Sequence, residues 1–581
     1  MSIHTLFKYR LTAITIMVFA LTFQATTTVG QTSQNGNSAA RVGIDASAPA
    51  PLTLQEAIRL ALANNNDIAT SRIDVELSEH NLTAERGAYD PVLKSEYKFE
   101  HSRVPVTSFF GGTSGSSLKQ TDLASKFTMS GLSPRAGGSY EIGISSRRTS
   151  GNNFFNDLNP YYATGFSLSY TQPLMRGRRT DDTRRRIEIA KRNLSLTDIQ
   201  FRQRATEVIA RVEEAYWQLV YALKNLQVQN EAVAQTKAQV ESNRRQVEQG
   251  ILAPIDVVEA EAQVKIFEQN AYAAQEDVTR AENSLKTLLL PDRTADLWSR
   301  ALLPVTAADL QAPDLSLPNA INTALANRLE LAELQTSRGI NEINKAYFKD
   351  QTKPQVDVTV GYSSNGLAGT VTDRNDNPVF QGISSLEKRV AELSTIAGLP
   401  ALPGNGFGEV PGDLRGGYGT SLKNLLSQDN PTVSVGVTIS LPLKNRTAKA
   451  QLAHSSAEER RLDIVKVKTE QLIEAEVRNA MQALQSIQSR MASAAASRTA
   501  AEQQYTSEKR KFQAGMSTLF LVLQRQTDLV SARGRELQTQ TDLNKAIAEL
   551  QRAMGNTLSY RNVSVITDGH KLQQLDSIAG N

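Results

Sequence analysis

The chain of 581 residues is 40% apolar and 21% charged, contains no cysteine and carries a net charge of +4 at pH 7. The lack of cysteine excludes disulfides, thiolate metal sites, a catalytic thiol and a cysteine-linked lipid anchor, and so small a net charge does not indicate nucleic-acid binding. The mean hydropathy of -0.34 argues against a helical membrane protein with several spans, since each span needs an apolar run of roughly 18 residues or more.

The first thirty residues have the layout of a secretory signal peptide. Lys8 and Arg10 precede an apolar segment over residues 11–23, and small polar residues follow it. A single anchoring helix or a buried N-terminal helix is the alternative. Residues 31–51 are rich in Ser, Ala, Asn and Gly, which predicts a disordered lead-in. We therefore expect the mature protein to work outside the cytoplasm.

The rest of the chain contains an internal sequence repeat. Residues 52–64 (LTLQEAIRLALAN) recur at an offset of 263 as residues 315–327 (LSLPNAINTALAN). Three further pairs follow in the same order: Pro91 with Pro354, residues 168–174 with 437–443, and Gly250 with Gly515. This order predicts two tandem repeats over residues 52–314 and 315–558, followed by a tail over residues 559–581.

Each repeat is predicted to run short helix, strands, long helix, short helix. The predicted helices cover residues 52–86, 183–249 and 254–289 in the first repeat, and residues 315–349, 447–514 and 519–554 in the second. The long helices would each reach about 100 Å. Apolar residues recur every seven positions, as in Val212, Leu219 and Leu226, which predicts coiled-coil packing. The helices alone would equally fit an antiparallel coiled-coil rod.

Alternating apolar and polar residues predict strands at 93–99, 166–170, 356–362 and 433–441. This pattern is typical of a transmembrane β-barrel, although a water-soluble sandwich shows it too; the signal peptide and the long helices favour the barrel. Pro173 and Pro442 are expected where strand gives way to helix.

Two inserted segments separate these strands. An extra hairpin at residues 121–148 either extends the strands above the membrane or increases their number. The Gly-rich segment 366–430 is predicted to be a long outer loop with a short helix at 386–396. Its glycine run at 404–408 lacks the features of a phosphate-binding loop.

These residues resemble the TolC-like outer-membrane efflux proteins of Gram-negative bacteria. The resemblance rests on residues 52–64 and their copy, on residues 170–174 (YTQPL), and on the turn motifs at 249–257 (QGILAPIDV) and 514–522 (AGMSTLFLV). It implies an α+β membrane protein: a homotrimer whose subunits each give four strands, or more if the hairpin joins them, to a transmembrane antiparallel β-barrel. The barrel would continue into a long periplasmic α-helical barrel of coiled-coil helices.

The same resemblance implies a function in export. The protein would be a passive exit duct in the outer-membrane lipid, serving efflux or type I secretion, joined through a periplasmic adaptor to an inner-membrane transporter. The alternative is a periplasmic coiled-coil structural or adaptor protein without a membrane-spanning barrel.

The resemblance also carries candidate site residues at the turns where long helices reverse. Six residues would dock the adaptor: Gly250, Ile251, Leu252, Gly515, Met516 and Ser517. Glycine also simply ends helices. Five residues would line an aperture or gate: Asp256, Glu259, Phe512, Leu521 and Gln524. Because Leu521 and Gln524 stand where the family usually has acidic residues, closure by charge and closure by apolar packing both stay open, as does a helix-capping role for Asp256.

Nothing in the sequence indicates an enzyme. The five histidines are scattered and have no metal-ligand spacing, and neither a nucleophile elbow nor a phosphate-binding loop is present. We predict no catalytic residues, no metal site and no cofactor. The many Glu and Lys residues of the helices are expected on solvated faces.

Overall fold

The computed structural model describes residues 41–564 with the exception of residues 42, 108–110, 114, 309–314, 373–377 and 401–408. The predicted signal peptide, the glycine run at 404–408 and most of the predicted tail lie outside the described residues.

The two repeats have the same order of helices, as predicted. The first contains α1 (Leu54–Asn64), α2 (Asn66–Arg86), α3 (Asp182–Glu248) and α4 (Pro254–Leu289). The second contains α5 (Leu317–Asn327), α6 (Leu329–Gln351), α9 (Arg446–Gln513) and α10 (Leu519–Ala553), with α11 (Thr557–Tyr560) after it. At 67 and 68 residues, α3 and α9 each extend about 100 Å.

The first predicted helix of each repeat is broken in the structure, so the prediction of one continuous helix is wrong. Asn65 has an extended backbone between α1 and α2, and its side chain accepts the N–H of Asp67 and donates to the carbonyl of Leu288. Arg328, at the same offset of 263, breaks the copy between α5 and α6. At each break the chain changes direction, so that α1 is not collinear with α2 and α5 is not collinear with α6.

The heptad seams form the helical core. Along α3 the side chains of Val212, Leu219 and Val240 are buried, as are Val278 and Leu285 of α4. Both α2 and α4 pack along α3, and both α6 and α10 pack along α9, so each long helix is matched by two shorter ones stacked end to end. Contacts of α6 and α10 with α3 join the two repeats.

The strands form one antiparallel sheet of six rather than about four. Its order is β2 (Val92–Pro105), β3 (Ser117–Leu132), β4 (Ser139–Gly151), β5 (Leu158–Pro173), β7 (Gln355–Val371) and β8 (Pro431–Ser440). The two strands that the extra hairpin adds, β3 and β4, pair along their length with β2 and β5. Pro173 is the last residue of β5, and Pro442 lies between β8 and α9.

A second sheet, of two strands, shows that the prediction of a disordered lead-in is wrong for its last residues. Residues 45–51 belong to β1 (Asp45–Leu52), which pairs in parallel with β6 (Arg300–Pro304). Both strands are short and lie about 250 positions apart, so neither has a local pattern that identifies its partner. Of the residues assigned to a disordered lead-in, 45–51 therefore bind the connection between the two repeats.

The segment between β7 and β8 contains two helices, α7 (Pro378–Ile396) and α8 (Tyr418–Ser427). The first includes the short helix predicted at 386–396 and begins eight residues earlier. Of the helices in the described part of the chain, none has both the length and the apolar composition required to cross a bilayer.

Candidate functional site

The six-stranded sheet has one apolar face and one polar face across its whole width. A single row of paired residues runs through all six strands on one face: Leu93, Met129, Ile142, Leu168, Tyr362 and Val433. The next row, on the other face, is Lys94, Thr128, Gly143, Ser167, Ser363 and Thr432. The apolar side chains are open to the surroundings; Leu93 is 73% and Val433 71% exposed. A soluble protein rarely leaves so large an apolar surface uncovered.

The polar face carries opposite charges close together. Lys94 Nζ lies 3.4 Å from Glu96, Lys98 Nζ lies 2.6 Å from Glu100, and Lys126 Nζ lies 3.8 Å from Glu141. All six side chains are about half exposed or more, which suits a face lined by water rather than by hydrocarbon. The sheet is therefore built to separate lipid from water, with these three ion pairs on β2, β3 and β4.

The helical end of the molecule carries two turns of the same geometry. Gly250 and Gly515 have φ angles of 73° and 75°, the left-handed region that glycine occupies without strain. In each turn the following N–H bonds five residues back, from Ile251 to the Gln246 carbonyl at 2.8 Å and from Met516 to the Lys511 carbonyl at 2.9 Å. This bond is the signature of a Schellman motif, which ends a helix and reverses the chain.

We call these turns the first tip (residues 249–255) and the second tip (residues 514–520). Each tip exposes a pair of large apolar side chains four residues apart: Ile251 and Ile255 in the first, Met516 and Phe520 in the second, with Ile251 67% and Met516 75% exposed. The offset between the pairs is 265, the same as between the glycines. Ile255 was missed from the sequence although its spacing from Ile251 and its match with Phe520 would have identified it.

The two tips are packed together by a small core of their own. Val240, Ala260 and Val264 from the first repeat contact Leu519 and Leu523 from the second. Next to this core the buried Gln526 donates to the Thr236 hydroxyl at 2.9 Å. The tips therefore form one surface rather than two independent ends.

The second tip borders a groove of about 530 Å³ lined by Arg510, Lys511, Met516 and α9 residues before them. Here the Ser517 hydroxyl donates to the carboxylate of Glu508, and Lys511 lies 3.3 Å from that carboxylate. The hydrogen bond from Ser517 is the main reason why the pKa of Glu508 lies below its ordinary value. The hydrogen bond and the positive charge of Lys511 lower it further. Because a lowered pKa keeps the carboxylate charged, this contact is present at neutral pH and is lost only as the pH falls through that depressed value.

The five predicted aperture residues all lie near the tips, but three of them have partners within the chain. The carboxylate of Asp256 accepts the N–H of Ala253 at 3.1 Å, which caps the start of α4. The ring of Phe512 packs against the core shared by the tips. Gln524 lies 3.4 Å from Asp528, and Leu521 is exposed. A gate at these residues stays a prediction.

Substitution of Asp256 separates capping from gating. Asp256→Ala removes the acceptor and should raise the exchange rate of the Ala253 amide about fivefold, corresponding to the roughly 1 kcal/mol of a helix cap. Asp256→Asn keeps an acceptor and removes the charge, so it should exchange slowly, as the wild type does. Hydrogen exchange with mass spectrometry reads out residues 249–256. Changed cation selectivity in Asp256→Asn, with normal exchange, would instead favour the gate.

Within the described ranges, no three His, Asp or Glu side chains come together in a way that would hold a metal ion. The structure thus brings together a two-faced sheet at one end and a paired, apolar-tipped surface at the other, joined by helices about 100 Å long.

Comparison with known proteins also indicates an outer-membrane protein. The family model described as "Outer membrane efflux protein" matches residues 125–289 and 412–556. No curated protein matches the chain.

Solved outer-membrane channels share the fold. The Campylobacter jejuni CmeC channel is 14% identical with a TM-score of 0.57, covering 87% of this chain and 86% of its own. CusC is 13% identical with a TM-score of 0.58, covering 90% and 95%. The Neisseria gonorrhoeae MtrE channel, solved in an open state, is 15% identical with a TM-score of 0.53, covering 87% and 89%.

Proposed function

Because the chain belongs to the outer membrane efflux protein family and is an outer-membrane channel with a periplasmic extension, we propose that three copies form the duct and that the two tips dock a periplasmic adaptor. The observation that carries the proposal is the sheet with one mainly apolar face, open to the surroundings and continued by helices long enough to reach across the periplasm. In a water-soluble coiled-coil rod, that apolar face would be exposed to water, which is unfavourable.

Assembly with further copies is supported by surfaces that a single chain leaves uncovered. On α9 the apolar side chains Ile464, Val467 and Leu472 are exposed, and on α4 so are Ile266 and Tyr272. These residues lie on helices whose other faces are already packed, and water on an isolated chain would contact them directly. Neighbouring copies arranged around a threefold axis would cover both patches and enclose a helical tunnel.

Docking of an adaptor is supported by the matched tips. Each presents an exposed apolar pair beside a glycine turn, and the two are held side by side by a shared core. Exposed apolar groups at the far end of a long helical structure indicate a protein-binding surface. The role of an adaptor would be to link this surface to an inner-membrane transporter, which selects the cargo for efflux or secretion.

The duct has a direct test. Purified protein reconstituted into planar bilayers should give discrete conductance steps, and the protein should require detergent for extraction from outer membranes. A folded assembly that never conducts would contradict the channel. Release from cells without detergent would instead support the periplasmic coiled-coil alternative.

A further inference from the structure

The sheet of each chain ends in two edges that have no second neighbour within the described residues. The strand order runs from β2 to β8, and neither edge pairs with a further strand in the described part of the chain. In a bilayer every backbone N–H and C=O needs a partner, so an open sheet cannot remain there. Six strands are also too few to close a barrel, since the smallest have about eight.

The two edges are complementary to each other. All neighbouring strands are antiparallel, and the number of strands is even, so β2 and β8 run in opposite directions. The edge of β8 in one copy therefore continues the ladder next to β2 of the following copy without breaking the antiparallel pattern. Identical copies can repeat this contact until the ring closes.

The added hairpin crosses the same layer as the other strands. The turn between β3 and β4 lies at the helical end of the sheet, where the Ala136 carbonyl accepts from Gln172 at 2.8 Å. A Cβ built at Gly137 would come within 2.5 Å of the Gly177 carbonyl oxygen, so this turn is packed beneath the start of α3. A hairpin that only extended the strands beyond the membrane would have its turn at the opposite end.

The hairpin also carries the full membrane pattern. Its strands of 16 and 13 residues exceed the roughly 9–11 that a tilted strand needs to span a bilayer. Its apolar residues Phe127, Met129 and Ile142 lie on the same face as Leu93 and Leu168. The hairpin therefore contributes two complete spans to the wall.

We propose that three copies close an eighteen-stranded barrel, in which β2 of each chain pairs with β8 of the next. This inference rests on the threefold assembly proposed above and fixes the size of its membrane pore. With strands about 4.8 Å apart and tilted about 40°, eighteen strands give a backbone diameter of about 36 Å, whereas twelve give about 24 Å. The polar lining of β2, β3 and β4 then places mixed charges around a wide, water-filled opening.

Single cysteines test the placement of the hairpin, and the chain has no native cysteine to interfere. In reconstituted membranes, Lys126→Cys should react with a water-soluble maleimide at least about tenfold faster than Phe127→Cys, because a thiol in lipid stays protonated and unreactive. The same difference is expected between Ser145→Cys and Ile144→Cys on β4. Equal, fast labelling within both pairs would overturn the proposal.

A pair of cysteine variants on β5 distinguishes failure of the eighteen-stranded barrel from failure of the proposed channel itself. Ser167→Cys and Leu168→Cys belong to the wall whether it has twelve or eighteen strands, so they should differ in the same way. If this pair differs while those on β3 and β4 do not, only the larger barrel is wrong. If the β5 pair also labels equally, the membrane-spanning wall, and with it the proposed function, is wrong.

Crosslinking of the edges tests the number of copies. Glu96→Cys on β2 is combined in one chain with Ser434→Cys, Gly436→Cys or Thr438→Cys on β8, all on the polar face. A short bis-maleimide should give covalent trimers with at least one of the three combinations. Covalent species that end at dimers would overturn the proposal, as would the absence of crosslinks in all three.

Discussion

Gly250→Trp and Gly515→Trp, introduced together, are expected to abolish export while leaving the assembly folded in the outer membrane. A Cβ built at either glycine meets no described atom within 4 Å, so each indole has room to project from the tip, and the cost to the chain itself is that of a side chain on a left-handed backbone. The indole would occupy the space beside the exposed apolar pairs. Loss of one such hot spot weakens a protein interface by about 2 kcal/mol, or roughly 30-fold in affinity.

The matched control is Gly250→Ala with Gly515→Ala. Alanine carries the same left-handed backbone cost of about 1–2 kcal/mol per residue but adds almost no bulk. Export is measured as retention of the exported compound in cells whose only copy is the variant, with trimer quantified in isolated outer membranes. Normal export by the tryptophan variant would contradict docking at the tips, and equal loss in both variants would leave the glycines only the role of ending a helix.

The helices of the structure could be predicted closely from the sequence because their signals are local. A heptad seam determines that α3 is a helix, and Gly250 with Pro254 determines where one helix stops and the next begins. The predicted boundaries of the long helices lie within one residue of those in the structure. The break at Asn65 also had a signal, since a run of asparagines before Asp67 is typical of a helix start.

The strand count could not be predicted in the same way. Alternation identifies β3 and β4 as strands, but their position depends on which strands they pair with, and that information is spread over the register of the whole sheet. The pairing of β1 with β6 is harder still, because the two segments are distant in sequence and too short to show a pattern. Long-range pairing is set by the fold rather than by either segment.

The expectation that Glu and Lys residues of the helices face water is wrong for Glu213 of α3 and for one pair on α4. Glu282 and Lys286 lie one helical turn apart on α4, as many solvated pairs do, yet the side chains of both are fully buried. Arg41 and residues 298–300 cover them, and these arrive from the connection and the N-terminal segment. Their burial follows from the second sheet, which the sequence did not predict.

Lys286→Met is therefore expected to lower the free energy of unfolding far more than the loss of a solvated lysine from the same helix. Lys286 Nζ lies 2.7 Å from Glu282 and donates to the carbonyls of Trp298 and Arg300 at 3.0 and 2.7 Å. Methionine fills a similar volume but leaves a buried carboxylate with Arg41 as its remaining cation and two carbonyls without this donor. Removing one partner of a buried ion pair costs about 3–5 kcal/mol, a large fraction of ordinary folding stability.

Lys265→Met provides the control on the same helix. Its side chain is 78% exposed and pairs with Glu268 at 2.9 Å, an arrangement in which an ion pair contributes little to stability because water screens it. Urea unfolding of the detergent-solubilised protein, followed by helical circular dichroism, compares the two variants. If Lys286→Met were no less stable than Lys265→Met, the buried pair would not hold the second sheet. The double variant Lys286→Met with Glu282→Leu should recover only part of the loss: it removes the buried carboxylate, but Arg41 loses its partner and the carbonyls of Trp298 and Arg300 still lack the lysine donor.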